Sequence, residues 1–135
     1  MNTTIEQQIQ NFLRNEGNNV ALADGLLLEK RYYHGPVNIK LTLLTRCTGP
    51  ENGMKYLVSE ESFNKRINGI ITRIKSGWLL PPILVNYCEG NLTINDGNHR
   101  YEAYKRMGHD EIPSFFWVTD KNDYDQMKKW LREIN

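Results

Sequence analysis

A length of 135 residues suits one compact domain with a single core. Hydrophobic residues make up 39% of the chain and charged residues 24%, an ordinary balance for a soluble globular protein. The 17 basic and 16 acidic side chains leave a net charge of +1, which argues against a dedicated non-specific DNA binder.

Cys47 and Cys88 form no CxxC pair and are too few for a disulfide framework, so they read as free thiols of a reducing compartment. The opening MNTTIEQQIQNF has neither a basic n-region nor an apolar h-region, and no apolar run is long enough to span a bilayer. The expectation is a cytoplasmic protein.

Thr4 with Gln7 three residues later forms a capping box that opens a helix. Ile5, Ile9, Phe12 and Leu13 then share one face, and Gly17 ends it. Val20 to Tyr33 is ambiguous between strand and irregular chain. Val37, Ile39, Leu41 and Leu43 alternate with polar residues, the period of a half-buried strand. Thr48 to Gly53 is a loop by composition. After the short apolar run Tyr56-Leu57-Val58, Ser59 caps a second helix, with Glu60 and Glu61 in its first turn. Its apolar stripe is Ile67, Ile70, Ile71 and Ile74, and it stops near Ser76-Gly77.

Pro81-Pro82 leads into a buried strand at Ile83-Leu84-Val85. Glu89-Gly90-Asn91 is a hairpin turn, and Leu92-Thr93-Ile94 is the returning strand. Asp96-Gly97-Asn98 turns into a helix from about His99 to Met107, closed by Gly108. A strand follows over Ser114 to Val118. Asp120 or Asn122 caps a last helix with Tyr124, Met127, Trp130, Leu131 and Ile134 on its apolar face. The mixture predicts an α+β fold, a small mixed sheet packed with helices.

The strand-turn-helix unit from Leu92 to Met107 carries the chemistry. Gly97 permits a turn that a side chain would obstruct. The next N–H groups lack helical partners and carry the positive end of the helix dipole, which suits phosphate. Arg100 adds a planar fork of donors, and His99 a donor of tunable charge. Asp96 could ligate Mg²⁺ on bound phosphates, act as a base, or cap the helix. Trp78 is the best candidate for an exposed ring that stacks a base.

The order of elements adds to this. The chain runs from a helix through Pro81-Pro82-Ile83 into a strand. It then passes the turn Asp96-Gly97-Asn98-His99-Arg100, a helix containing Ala103, Gly108, and Ile112-Pro113 into a strand. This resembles the ParB/sulfiredoxin superfamily, with its "G-x-H-R" or "G-E-R-R" turn. His99-Arg100-Tyr101-x-Ala103-Tyr104 is similar to sulfiredoxin, and Asn95-Asp96-Gly97-x-His99-Arg100 to the free-serine kinases. The resemblance covers Leu57 to Val118, within a core at residues 55–118. Residues 1–54 are an extension that could cover the pocket, add an edge strand or form a dimer contact.

The resemblance implies a site for ATP, ADP or CTP with Mg²⁺. Gly97, Asn98, His99 and Arg100 would contact phosphate, facing groups of the preceding helix. Counting back from Pro81 selects Lys65, Asn68 and Thr72, of which Lys65 and Thr72 are preferred. Matching the apolar face selects Arg66, Gly69 and Arg73 instead.

Three departures narrow the function. Asn98 stands where sulfiredoxin has its nucleophilic cysteine, and an amide cannot form a thiosulfinate, so sulfinic-acid repair is not expected. Only 17 residues follow Val118, room for one helix, so the helix-turn-helix of a partition protein is not expected. The serine kinases place a glutamate before the phosphate-facing helix, and Glu60 or Glu61 lies in the comparable region, able to take a proton from a substrate hydroxyl. The leading expectation is a nucleotide-phosphate-binding protein acting on a small-molecule acceptor as a Mg²⁺-dependent phosphotransferase, or as a nucleotide hydrolase. The alternative is a non-catalytic nucleotide-sensing or DNA-binding module, with nucleic acid not favoured as a partner. The choice of nucleotide and the oligomeric state stay open.

Overall fold

The computed structural model describes residues 3–134. The capping box forms as expected. Thr4 accepts from the Gln7 N–H, Gln7 returns a bond to the Thr4 backbone, and α1 runs over Ile5–Arg14. The ambiguous segment resolves into a second helix, α2 (Val20–Leu26), capped by Asn19, and then β1 (Tyr32–Lys40). The alternating pattern holds to Lys40, after which Leu41–Leu43 tighten into a single 3₁₀ turn.

The expected loop at Thr48 to Gly53 opens on one two-residue strand and is flanked by two others. β2 (Thr45–Arg46) and β3 (Thr48–Gly49) are followed by β4 (Tyr56–Leu57), and β3 and β4 pair in parallel. Two-residue strands are too short to carry a hydrophobic period, so composition alone reads as loop. Ser59 accepts from the Ser62 N–H and starts α3 (Glu60–Lys75). The rest follows the expected order: β5 (Ile83–Cys88), β6 (Asn91–Asp96), α4 (Asn98–Arg106), β7 (Glu111–Val118) and α5 (Lys121–Ile134).

The main sheet is mixed, in the order β1-β7-β5-β6-β2. β5 lies parallel to β7 and antiparallel to β6, while β1 adds an antiparallel edge strand to β7. Strand alternation sends neighbouring side chains to opposite faces. Leu84 and Phe115 face Ile9, Leu13, Ala23 and Leu26 of α1 and α2. Val85 and Phe116 face the other way, into a cluster closed by Met127 and Leu131 of α5. α3 packs on α4 through Phe63, Ile67 and Ala103.

In the described part of the N-terminal extension, α1 and α2 cover one sheet face, the end of α1 and the turn after it border the cleft described below, and β1 extends the sheet. Cys47 is buried and Cys88 exposed, and both are free thiols. No helix among the described residues is long and apolar enough to cross a membrane.

Candidate functional site

The site is built on the turn from β6 into α4. Gly97 holds φ at +101°, in the left-handed region. A Cβ there would collide with the Ile83 side chain and crowd the Arg100 guanidinium. Both the backbone and the packing therefore require glycine. Gly97 is also the N-cap of α4, and no side chain caps it. The starts of α1, α2 and α3 are each closed by Thr4, Asn19 and Ser59, whereas the head of α4, Gly97 to Arg100, carries no side-chain cap and lines the cleft.

Three side chains of this turn are committed to the scaffold. Arg100 is 7% exposed. Its guanidinium donates to the Pro81 carbonyl at 2.8 Å, the Pro82 carbonyl at 3.0 Å and the Asp96 carboxylate at 2.7 Å, and lies 5.0 Å from the Phe12 ring centre. The other Asp96 oxygen accepts from the Asn19 side-chain amide at 3.2 Å. Asp96 thus serves as the counter-ion of Arg100 and does not cap α4. Asn98 is buried. Its oxygen accepts from the Cys47 N–H at 2.8 Å and the Thr48 N–H at 3.3 Å, and its NH₂ donates to the Ile94 carbonyl at 3.3 Å. It pins the link between β2 and β3 to the head of α4. Asn98 and Arg100, expected to contact phosphate, both line the cleft, while their side chains partner buried backbone groups of the protein itself.

His99 is half-buried, with its ring tilted over Phe63 at 5.1 Å between centres. Burial first, then the charges of Arg66 and Arg46, push its pKa down to about 4. It is neutral at pH 7 and donates from one nitrogen only. The folded state then binds fewer protons than the unfolded chain between pH 4 and a normal histidine pKa of about 6.5. The resulting stability is fully present above that window and is lost as the pH falls through it. His34 is also lowered, by burial and then by Lys128, and adds a slope of the same sign. His99→Gln is expected to flatten the stability–pH curve between pH 4 and 6.5, measured by urea unfolding at each pH, while the His34 part persists. An unchanged curve would show that His99 titrates normally.

A cleft of about 840 Å³ opens above this turn. One wall is α3, presenting Ser62, Lys65, Arg66, Gly69 and Arg73. The opposite wall is the end of α1 and the turn after it, with Phe12, Glu16 and Asn19. Trp78 closes one end. Its indole donates to Glu16 at 3.3 Å, and the Arg73 guanidinium lies 4.0 Å from its ring centre and 4.0 Å from Glu16.

Of the two sets of α3 residues, the structure turns Arg66, Gly69 and Arg73 toward the cleft, together with Lys65. Thr72 is exposed outside the lining, its hydroxyl donating to the Asn68 carbonyl one turn back at 3.0 Å. Glu60 and Glu61 are exposed in the first turn of α3, also outside the lining. Phe12, Glu16 and Asn19 were not expected at the site. They reach it only because α1 folds across the sheet, a long-range event with no local signal.

No family model matches the chain, and no curated protein matches it. Solved structures do. A free serine kinase variant in complex with AMP is 24% identical over 59% of this chain, with a TM-score of 0.46. Sulfiredoxin from Arabidopsis thaliana is 21% identical over 62% of this chain and 83% of its own, with a TM-score of 0.44. The truncated chromosome-partitioning protein ParB from Caulobacter crescentus, complexed with CTP-gamma-S, is 23% identical over 64% of this chain and 45% of its own, with a TM-score of 0.40. The chain spans 30% of the length of the kinase.

Proposed function

We propose that the cleft binds the phosphates of a nucleotide. The observation that carries this reading is the cationic face of α3. Lys65 and Arg66 enter no ion pair among the described residues, yet line the same cavity as the uncapped head of α4. Unpaired cations opposite free backbone N–H groups are what an anion with several oxygens needs. Neutral His99 adds one more donor at the same turn.

Binding is favoured over turnover by the placement of the acids. Both oxygens of Asp96 are engaged, and no group of three or more His, Cys, Asp or Glu able to hold a metal occurs among the described residues. Any Mg²⁺ would enter on the phosphates of the nucleotide rather than on a cage of protein carboxylates. A phosphotransferase would draw its base from Glu60 or Glu61, which adjoin Ser62 at the lining of the cleft. Binding with turnover would put a small-molecule acceptor or water beside these acids.

The test is calorimetric titration with ATP, ADP and CTP, each with and without Mg²⁺. At least one is expected to bind, with affinity falling as salt is raised. Folded protein that binds none of them sinks the proposal. Product analysis on the same samples separates a sensor, which leaves nucleotide intact, from an enzyme whose turnover Glu61→Gln or Glu60→Gln removes.

A further inference from the structure

A second cavity, of about 170 Å³, lies between α1 and the sheet. Phe12 and Asp96 line both it and the cleft, and so stand between the two. Its walls are apolar: Ile9 and Phe12 of α1, Leu84 of β5 and Phe115 of β7. Ile9, Leu84 and Phe115 are 3%, 4% and 8% exposed, so the cavity is cut into the core and is no surface dimple. Among the described residues, Gln8 and Asp96 are the polar ones that line it. Gln8 stands one turn before Phe12, at the edge of the apolar stripe of α1. A leucine or phenylalanine there would extend that stripe across the opening. Gln8 is instead exposed, its amide donating to the Thr3 carbonyl at 3.2 Å. Empty apolar space deprives its walls of contacts, and the chain supplies nothing to fill it. α1 also lies outside Leu57 to Val118, the stretch that carries the family resemblance.

We propose that this cavity binds a small neutral aromatic ring bearing one hydrogen-bond donor, a phenol or an aromatic amine. Size selects the ring, since an apolar cavity of about 150 Å³ stays dry and takes up a benzene-sized molecule. Phe12 and Phe115 offer it aromatic faces and edges. Asp96 sets the polar end. One of its oxygens accepts from Arg100 and the other from Asn19, which uses two of about four lone-pair sites. A ring that brings a donor therefore meets an acceptor with capacity left. A ring that brings an anion meets like charge and buries its own charge without a partner. The site stands apart from the nucleotide reading, because no residue of α3 lines it.

The test is a titration with phenol and with aniline, followed by methyl NMR. The methyl signals of Ile9 and Leu84 should shift, while those of Ile112 and Leu131, in the cluster on the other sheet face, should hold. Phenol at ten times its dissociation constant should raise Tm by about 3–6 °C. Fluorobenzene, which lacks the donor, should bind about tenfold more weakly, and benzoate more weakly still. Gln8→Phe should place a ring of the chain itself over the opening. It should weaken phenol at least about tenfold and leave Tm at or above that of the parent. A parent chain whose Ile9 and Leu84 signals ignore millimolar phenol and aniline overturns the site. Benzoate or fluorobenzene binding as tightly as phenol overturns the chemical class. Shifts centred on Ile112 and Leu131, or folded Gln8→Phe with parent-level phenol affinity, overturn the placement.

Discussion

Arg100→Ala is expected to cost the fold about 3–5 kcal/mol, the range for removing one partner of a buried ion pair. The guanidinium is 8% exposed at the side chain and its Asp96 partner 13%. Without it the Asp96 carboxylate loses its 2.7 Å counter-ion, and the Pro81 and Pro82 carbonyls lose their donors. Those carbonyls belong to the entry into β5, and Asp96 also receives Asn19 from the turn before α2, so one side chain ties three parts of the chain together. Adding Asp96→Asn to Arg100→Ala should recover part of the loss, because the uncompensated charge goes. Urea midpoints of the parent, the two single variants and the double variant measure this directly. A loss below about 1 kcal/mol, coupled with abolished nucleotide binding, would return Arg100 to the ligand and refute its scaffold role. The consequence for binding work is practical. Loss of affinity in Arg100→Ala reports a damaged cleft as readily as a missing phosphate contact.

That result bears on what a sequence can disclose about such a site. The turn itself was legible, because Gly97 is needed for local reasons of φ and close packing, and those reasons are written in Asp-Gly followed by a helical pattern. The helix caps at Thr4 and Ser59 were legible for the same cause, being contacts three residues apart. The direction of Arg100 was not. Whether an arginine in a first helical turn faces solvent or turns inward depends on where carbonyls 18 and 19 residues away come to lie. The rotation of α3 was open in the same way. Counting back from Pro81 selects Lys65 and Thr72, whereas the apolar stripe selects Arg66 and Arg73, one position apart. Only the packing of Phe63 and Ile67 against Ala103 decides the rotation. Asn98 shows the same limit from the other side. The absence of a thiol was plain, but the amide's work as a pin for Cys47 and Thr48 depends on partners 51 and 50 residues away.

The rotation of α3 makes Arg66→Ala the sharpest test of binding that leaves the fold intact. Arg66 is exposed on the cleft wall and enters no ion pair among the described residues, so its removal should change stability by less than about 0.5 kcal/mol. A guanidinium bonded to a phosphate contributes about 1.5–3 kcal/mol, so ATP and ADP affinity should fall about 10- to 100-fold. Arg66→Lys keeps the charge but not the planar fork and should lie between the two. The same variant carries an internal check. The Arg66 charge helps hold the His99 pKa down near 4, so Arg66→Ala should raise it toward the normal histidine value, read by NMR titration of the ring protons. Phosphate bound in the parent should move His99 in the same direction, because an anion beside the ring favours its protonated form. An Arg66→Ala protein that binds ATP within twofold of the parent, with His99 shifted as expected, would locate the cation in the cleft and still deny it the ligand. The phosphates would then have to sit toward Lys65 and Arg73.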